Sequence, residues 1–196
     1  MVLAESNSTR VTREGGFTLV EVLIAMLVMM IMSRGVAQLF GVAIRATQAA
    51  RYQTSTATLA SQKMEQLRGL TWGFDNNGSG LPVTDTTSDL SREPFTNSGT
   101  GLNPSPSNSL DVNTVGFVDY LDARGQWMGT GATPPATAMY IRRWNITPLP
   151  VNPNNSIILQ VLVTTVVRER QVTPGARRVR LADDALIMSV KTRKAK

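Results

Sequence analysis

The chain has 196 residues, 42% of them hydrophobic, with no cysteine, no histidine and a formal charge of +6. That length allows one modest domain plus an appendage. Without cysteine there are no disulfides and no thiolate metal sites, and without histidine the commonest general base and metal ligand are missing. The charge sits at one end, because residues 168–196 hold nine basic side chains against three acids while the remaining residues balance at eleven of each sign. Carboxylate or serine–lysine chemistry stays open by composition, but no triad, phosphate loop or metal cluster is spelled out. No enzyme activity, metal or cofactor is expected.

Residues 1–16 are polar and include Arg10 and Arg13. From Phe17 to Met32 fourteen of sixteen residues are apolar, the exceptions being Thr18 and Glu21. As a helix this run spans about 24 Å, short of a bilayer core of about 30 Å. After Ser33 and Arg34 the pattern resumes as GVAQLFGVAI, which completes a membrane span, with Arg34 snorkelling to the interface. Positive charge ahead of the run holds that end in the cytoplasm, and long carboxyl-terminal domains translocate largely regardless of charge. A secretory signal peptide competes with this reading, since small residues between 33 and 46 could provide a cleavage site. Glu21 argues against it: a carboxylate at that depth costs about 1–3 kcal/mol, and a signal peptide has no use for it. Met26, Met29, Met30 and Met32 read as flexible apolar filler.

The stretch Arg13-Glu14-Gly15-Gly16-Phe17-Thr18-Leu19-Val20-Glu21-Val22-Leu23-Ile24-Ala25 resembles the processing motif of type IV prepilins and type II secretion pseudopilins. The resemblance implies cleavage between Gly16 and Phe17 by a prepilin peptidase, N-methylation of Phe17, and a role in assembly for Glu21 at the fifth mature position. Glycine before the scissile bond gives an unhindered, non-helical backbone. A cut ahead of the apolar run leaves the membrane helix on the mature protein. In that family Glu21 would pair with the charged amino group of Phe17 on a neighbouring subunit, a buried pair that favours register more than raw stability.

Residues 36–70 lack proline and keep helical apolar spacing through Leu39, Val42, Ala43, Ala46, then Leu59, Ala60, Met64 and Leu67. An unbroken helix over 17–70 would measure about 80 Å, with Gly35 and Gly41 as weak points. Leu59-Ala60-Ser61-Gln62-Lys63-Met64-Glu65-Gln66-Leu67-Arg68 resembles the helix end of PilV-type minor pilins and related pseudopilins. Residues 73–135 hold nine glycines and six prolines and read as connecting loops with a short strand at Gly116–Leu121. Their Asp/Asn-rich stretch lacks EF-hand spacing. Strands are expected at Met139–Ile146, Ile157–Val167, Arg177–Leu181 and Ala185–Lys191, the last two forming a hairpin around Asp183-Asp184. Arg142, Arg143 and Trp144 read as a solvated strand face with a core tryptophan, although basic residues beside aromatics can also meet nucleic acid.

The expected fold is α+β: a long amino-terminal helix packed on a small antiparallel sheet of about four strands. The expected organisation is a leader (1–16), a membrane or filament-core half-helix (17–44), an amphipathic half-helix (45–72), loops (73–135), a sheet (136–193) and a basic tail (194–196). The resemblance implies a minor pilin of a type IV pilus, with a type II secretion pseudopilin as the alternative and a DNA-uptake pilin binding through its basic carboxyl-terminal strands as a more distant one. Implied partners are other pilin subunits, the prepilin peptidase/methyltransferase, the inner-membrane assembly platform and the membrane. The implied location is the inner membrane, single-pass with a periplasmic carboxyl-terminal domain, and then a pilus or pseudopilus. The missing cysteine pair weakens a major-pilin reading, since major pilins often close their last loop with a disulfide.

Overall fold

The structure is a computed structural model that describes residues 15–171 and 183–193. The chain divides into two units, Met1–Thr47 and Gln48–Lys196. Helix α1, Leu19–Gly69, runs through the boundary and is not interrupted at Gly35 or Gly41.

In the first unit every described residue is solvent-exposed. The helix here has no polar stripe to separate an inner from an outer face. Its few hydroxyls are satisfied within it: Ser33 donates to the carbonyl of Met29 at 2.8 Å and Thr47 to that of Ala43 at 2.9 Å.

In the second unit the helix becomes one-sided. Thr56, Leu59, Ala60, Lys63, Met64 and Leu67 are buried, a spacing that keeps one stripe of a 3.6-residue helix inward. Two short strands follow, β1 (Trp72–Phe74) and β2 (Pro82–Thr84), paired antiparallel. The main sheet comprises β3 (Val118–Leu121), β4 (Trp127–Gly129), β5 (Tyr140–Pro148), β6 (Ser156–Thr165) and β7 (Ala185–Thr192). Its order is β4-β3-β5-β6-β7, with every neighbouring pair antiparallel. The fold is therefore the expected α+β arrangement of a long helix on an antiparallel sheet, with five strands where about four were expected.

Strand alternation divides the side chains cleanly. Tyr140, Trp144 and Ile146 of β5 join Ile157, Leu159, Val161 and Val163 of β6 in one core with Leu59, Met64 and Leu67 of α1. The opposite face holds a smaller cluster of Val118, Tyr120, Ala138, Ile141 and Val166. Val166 begins α2 (Val166–Gln171), a short helix where the β-branched run had predicted that the strand continues to Val167. The expected strand Arg177–Leu181 lies outside the described residues; β7 pairs with β6 from Ser156↔Thr192 to Val163↔Ala185.

The Gly/Pro-rich stretch between helix and sheet is tied down at intervals. Asp85 N–H bonds the carbonyl of Thr71, Gly99 N–H that of Thr86, and Ser105 N–H that of Ile146. Gly99 lies so close to its neighbour that a Cβ there would stand 2.0 Å from the carbonyl oxygen of Ser88. The path of this loop thus requires glycine at that point.

Candidate functional site

Gly15, Gly16, Phe17 and Thr18 precede the first helical turn in non-helical backbone. Thr18 ends that segment as an N-cap: its Oγ1 accepts from the N–H of Glu21 at 3.3 Å, and its carbonyl accepts from the N–H of Val22 at 3.2 Å. Threonine followed three residues later by glutamate is the capping-box pattern. It places Glu21 in the first turn, where its negative charge also suits the positive end of the helix. The sequence thus starts the helix two residues after the Gly16–Phe17 junction and leaves that junction non-helical and open. Phe17 is 82% exposed. A Cβ built on Gly15 or Gly16 would meet nothing within 4 Å. Among the described residues, Glu21 has no ion-pair partner. Arg13 and Glu14, the first residues of the motif quoted above, lie outside the described residues.

Behind Glu21 the large apolar side chains are bare, from Leu23 and Ile24 through Met29 and Met30 to Leu39 and Phe40. The helix is long and apolar enough to cross a membrane once. In water so much exposed hydrocarbon is unfavourable at about 25 cal/mol per Å². Lipid or other apolar helices must cover it.

The segment also matches a known family model. Residues 11–33 match the prokaryotic N-terminal methylation motif. The chain carries a prepilin-type signal. Comparison with curated proteins and with solved structures gives no match. Motif and helix together fit a chain anchored in a membrane by a single amino-terminal helix. They imply association with other pilins and with a prepilin peptidase.

A second concentration of charge is buried inside the second unit. Asp119 of β3 receives Arg142 of β5 through two bonds, Nε to Oδ1 and Nη2 to Oδ2, both 2.8 Å. Lys63 of α1 reaches the same Oδ2 at 2.8 Å, donates to the carbonyl of Leu90 and lies 4.3 Å from the ring centre of Trp144. All three charged side chains are closed off from solvent. Burial lowers the Lys63 ammonium from its ordinary value to about 8, against the opposing pull of the Asp119 carboxylate. With no solvent access, the cluster joins helix to sheet rather than meeting a substrate.

Arg143 points to the other face, where it is buried with Asn113, at 2.8 Å from its Nε, and with Glu169 of α2, at 2.7 Å from its Nη2. Beside it the Tyr120 hydroxyl donates to the carbonyl of Gly131, and burial pushes its pKa up to about 12. This corrects the reading of Arg142 and Arg143 as a solvated strand face. Both guanidinium groups are internal and committed, so neither can meet a nucleic-acid phosphate. Arg177, Arg178 and Arg180 lie outside the described residues.

The sequence did contain a signal for this cluster. Lys63 falls within the apolar stripe of α1, and Arg142 shares strand parity with Tyr140 and Trp144. A charge at a core position calls for a buried counter-charge, and Asp119, between Val118 and Tyr120, supplies it.

Proposed function

We propose that the chain is a minor pilin: cut between Gly16 and Phe17, methylated on Phe17, and built into a type IV pilus through its apolar helix. The observation that carries this reading is the arrangement at the helix start. An open, non-helical Gly-Phe junction is followed at once by a capped helix whose apolar side chains are all exposed as far as Thr47. A peptidase needs an extended, reachable backbone, and a filament needs a helix with nothing of its own to cover it. Glu21, exposed in the first turn, takes the charged amino group of Phe17 from a neighbouring subunit once the leader is gone. The resemblance of residues 59–68 to PilV-type helices supports a minor rather than a major subunit.

The shared motif equally suits a pseudopilin of a type II secretion system. Immunogold labelling of surface pili against loss of exoprotein secretion in a deletion strain distinguishes the two. Processing itself is tested by mass spectrometry after co-expression with a prepilin peptidase. The expected product lacks residues 1–16 and carries a methyl group on Phe17. A mature chain that begins after residue 33 would refute the proposal.

A further inference from the structure

The loop that joins β1 to β2 holds a reactive pair, Asn77-Gly78, the one Asn-Gly dipeptide in the chain. Its base is closed by the pairing of Phe74 with Pro82 and by the Asp75 N–H, which donates to the carbonyl of Leu81 at 3.2 Å. Inside the loop the Asp75 carboxylate gathers the backbone. It accepts from the N–H groups of Ser79 and Gly80, each at 3.0 Å, from the Ser79 hydroxyl and from the N–H of Asn77. That set skips one residue. Among the described residues, the Gly78 N–H has no hydrogen-bond partner. Residues 76–80 are all exposed, and a Cβ built on Gly78 would meet nothing within 4 Å. Gly78 stands at φ 74°, a conformation that glycine adopts freely.

A backbone nitrogen reaches the carboxamide of the preceding asparagine only when three obstacles are missing. These are a hydrogen bond that holds the N–H, a side chain on the attacking residue, and packing around either group. Two Asn-Ser pairs elsewhere show the obstacles in place. The Ser109 N–H, after Asn108, donates to the carbonyl of Pro106 at 3.0 Å, and Ser109 is buried. The Ser156 N–H, after Asn155, donates to the carbonyl of Asn152 at 3.0 Å, while the Asn155 side chain is held by Asn152 and Arg193. At Asn77-Gly78 all three are absent among the described residues.

We propose that Asn77 is a self-modifying site, which turns from amide to acid through a cyclic imide with Gly78. The Gly78 nitrogen bonds to Cγ of Asn77, the Cγ–Nδ2 bond breaks, and the leaving nitrogen departs as ammonia with the Gly78 proton. Water then opens the ring. Attack at Cγ restores the normal backbone and leaves aspartate. Attack at the backbone carbonyl leaves isoaspartate, in which the chain runs through the former side chain. Water is the only co-reactant, and nothing is oxidised or reduced. The conversion adds a negative charge to the loop that carries Asp75 and whose Gly80 carbonyl accepts from Arg193 at 3.0 Å. It concerns the second unit and does not depend on cleavage at Gly16.

The test holds the full-length chain in detergent, at physiological temperature, in neutral buffer made with heavy-oxygen water. After digestion in ordinary water, the tryptic peptide 69–92 carries the loop. It should show an acid at position 77 bearing the heavy oxygen, divided between aspartate and isoaspartate. Asn108 and Asn155 should remain amides over the same period. Gly78→Ala, which places a methyl group on the attacking residue, should reduce the label at 77. Asn77→Gln leaves Gly78 and its backbone undisturbed, closes the larger ring only slowly, and should lose the label. No label at 77 would overturn the proposal. So would a label that either substitution leaves undiminished, or one that reaches Asn108 or Asn155 as fast.

Discussion

At the residue scale, the buried Lys63–Asp119–Arg142 cluster has a pH signature. The Lys63 value falls from 10.5 in the unfolded chain to about 8 in the native one. Between these values the unfolded chain holds a proton that the native chain has released, so stability rises as pH rises through that window. Above about pH 10 Tyr120 acts in the opposite sense, since its value is pushed up to about 12 and the unfolded phenol ionises first. Chemical denaturation between pH 7 and 10 should therefore show a rising stability that Lys63→Met flattens. Asp119→Ala, which leaves two buried cations without their carboxylate, should cost about 3–5 kcal/mol at pH 7. Glu21→Ala should leave membrane insertion and leader cleavage unchanged while lowering recovery in sheared filaments; equal incorporation would remove the pairing role of Glu21. Gly16→Ala is informative because the structure has room for a methyl group there. A block in cleavage would place the demand for glycine in the peptidase rather than in this chain's fold.

At the element scale, the inward stripe of α1 carries most of the hold between helix and sheet. Leu67 is completely buried, so Leu67→Ala should cost about 2–5 kcal/mol in urea melts. Thr18→Ala should fray the first turn by about 1 kcal/mol without touching that melt, since the N-cap belongs to the other unit. Both α1 and the central pair β5–β6 were legible from the residues, because apolar spacing of 3.6 and β-branched alternation act locally. Helix α2 was not legible: Val166 and Val167 extend a β-branched run, and tertiary packing of Val166 beneath the sheet overrides that local preference. Strands β1 and β2 are three residues each, too short for periodicity to show. The ion cluster joins positions far apart in the chain, so individual charges marked its members while the pairing itself was invisible.

At the scale of the whole molecule, the division at Thr47/Gln48 separates a fully exposed apolar helix from a unit with a packed core. The described core begins at Tyr52 and Leu59, so a chain starting at Gln48 loses none of it. It should express as a soluble protein with a cooperative thermal melt, whereas the full chain should require detergent. A fragment that aggregates or melts without cooperativity would show that the first half of α1 contributes to folding. The same fragment should not shift DNA through Arg142 or Arg143; a shift that vanishes when Arg177, Arg178 and Arg180 are replaced together would support the DNA-uptake reading, and no shift at low salt would end it.

The grip of Lys191 on the carbonyls of Arg68 and Leu70 has a mechanical reading. It clamps the last turn of the helix to the final strand, bypassing the irregular stretch that connects them along the backbone. Tension arriving along α1 is thereby handed straight to β7 and, through its pairing, to β6. The glycine-rich loops then lie outside the path of the load.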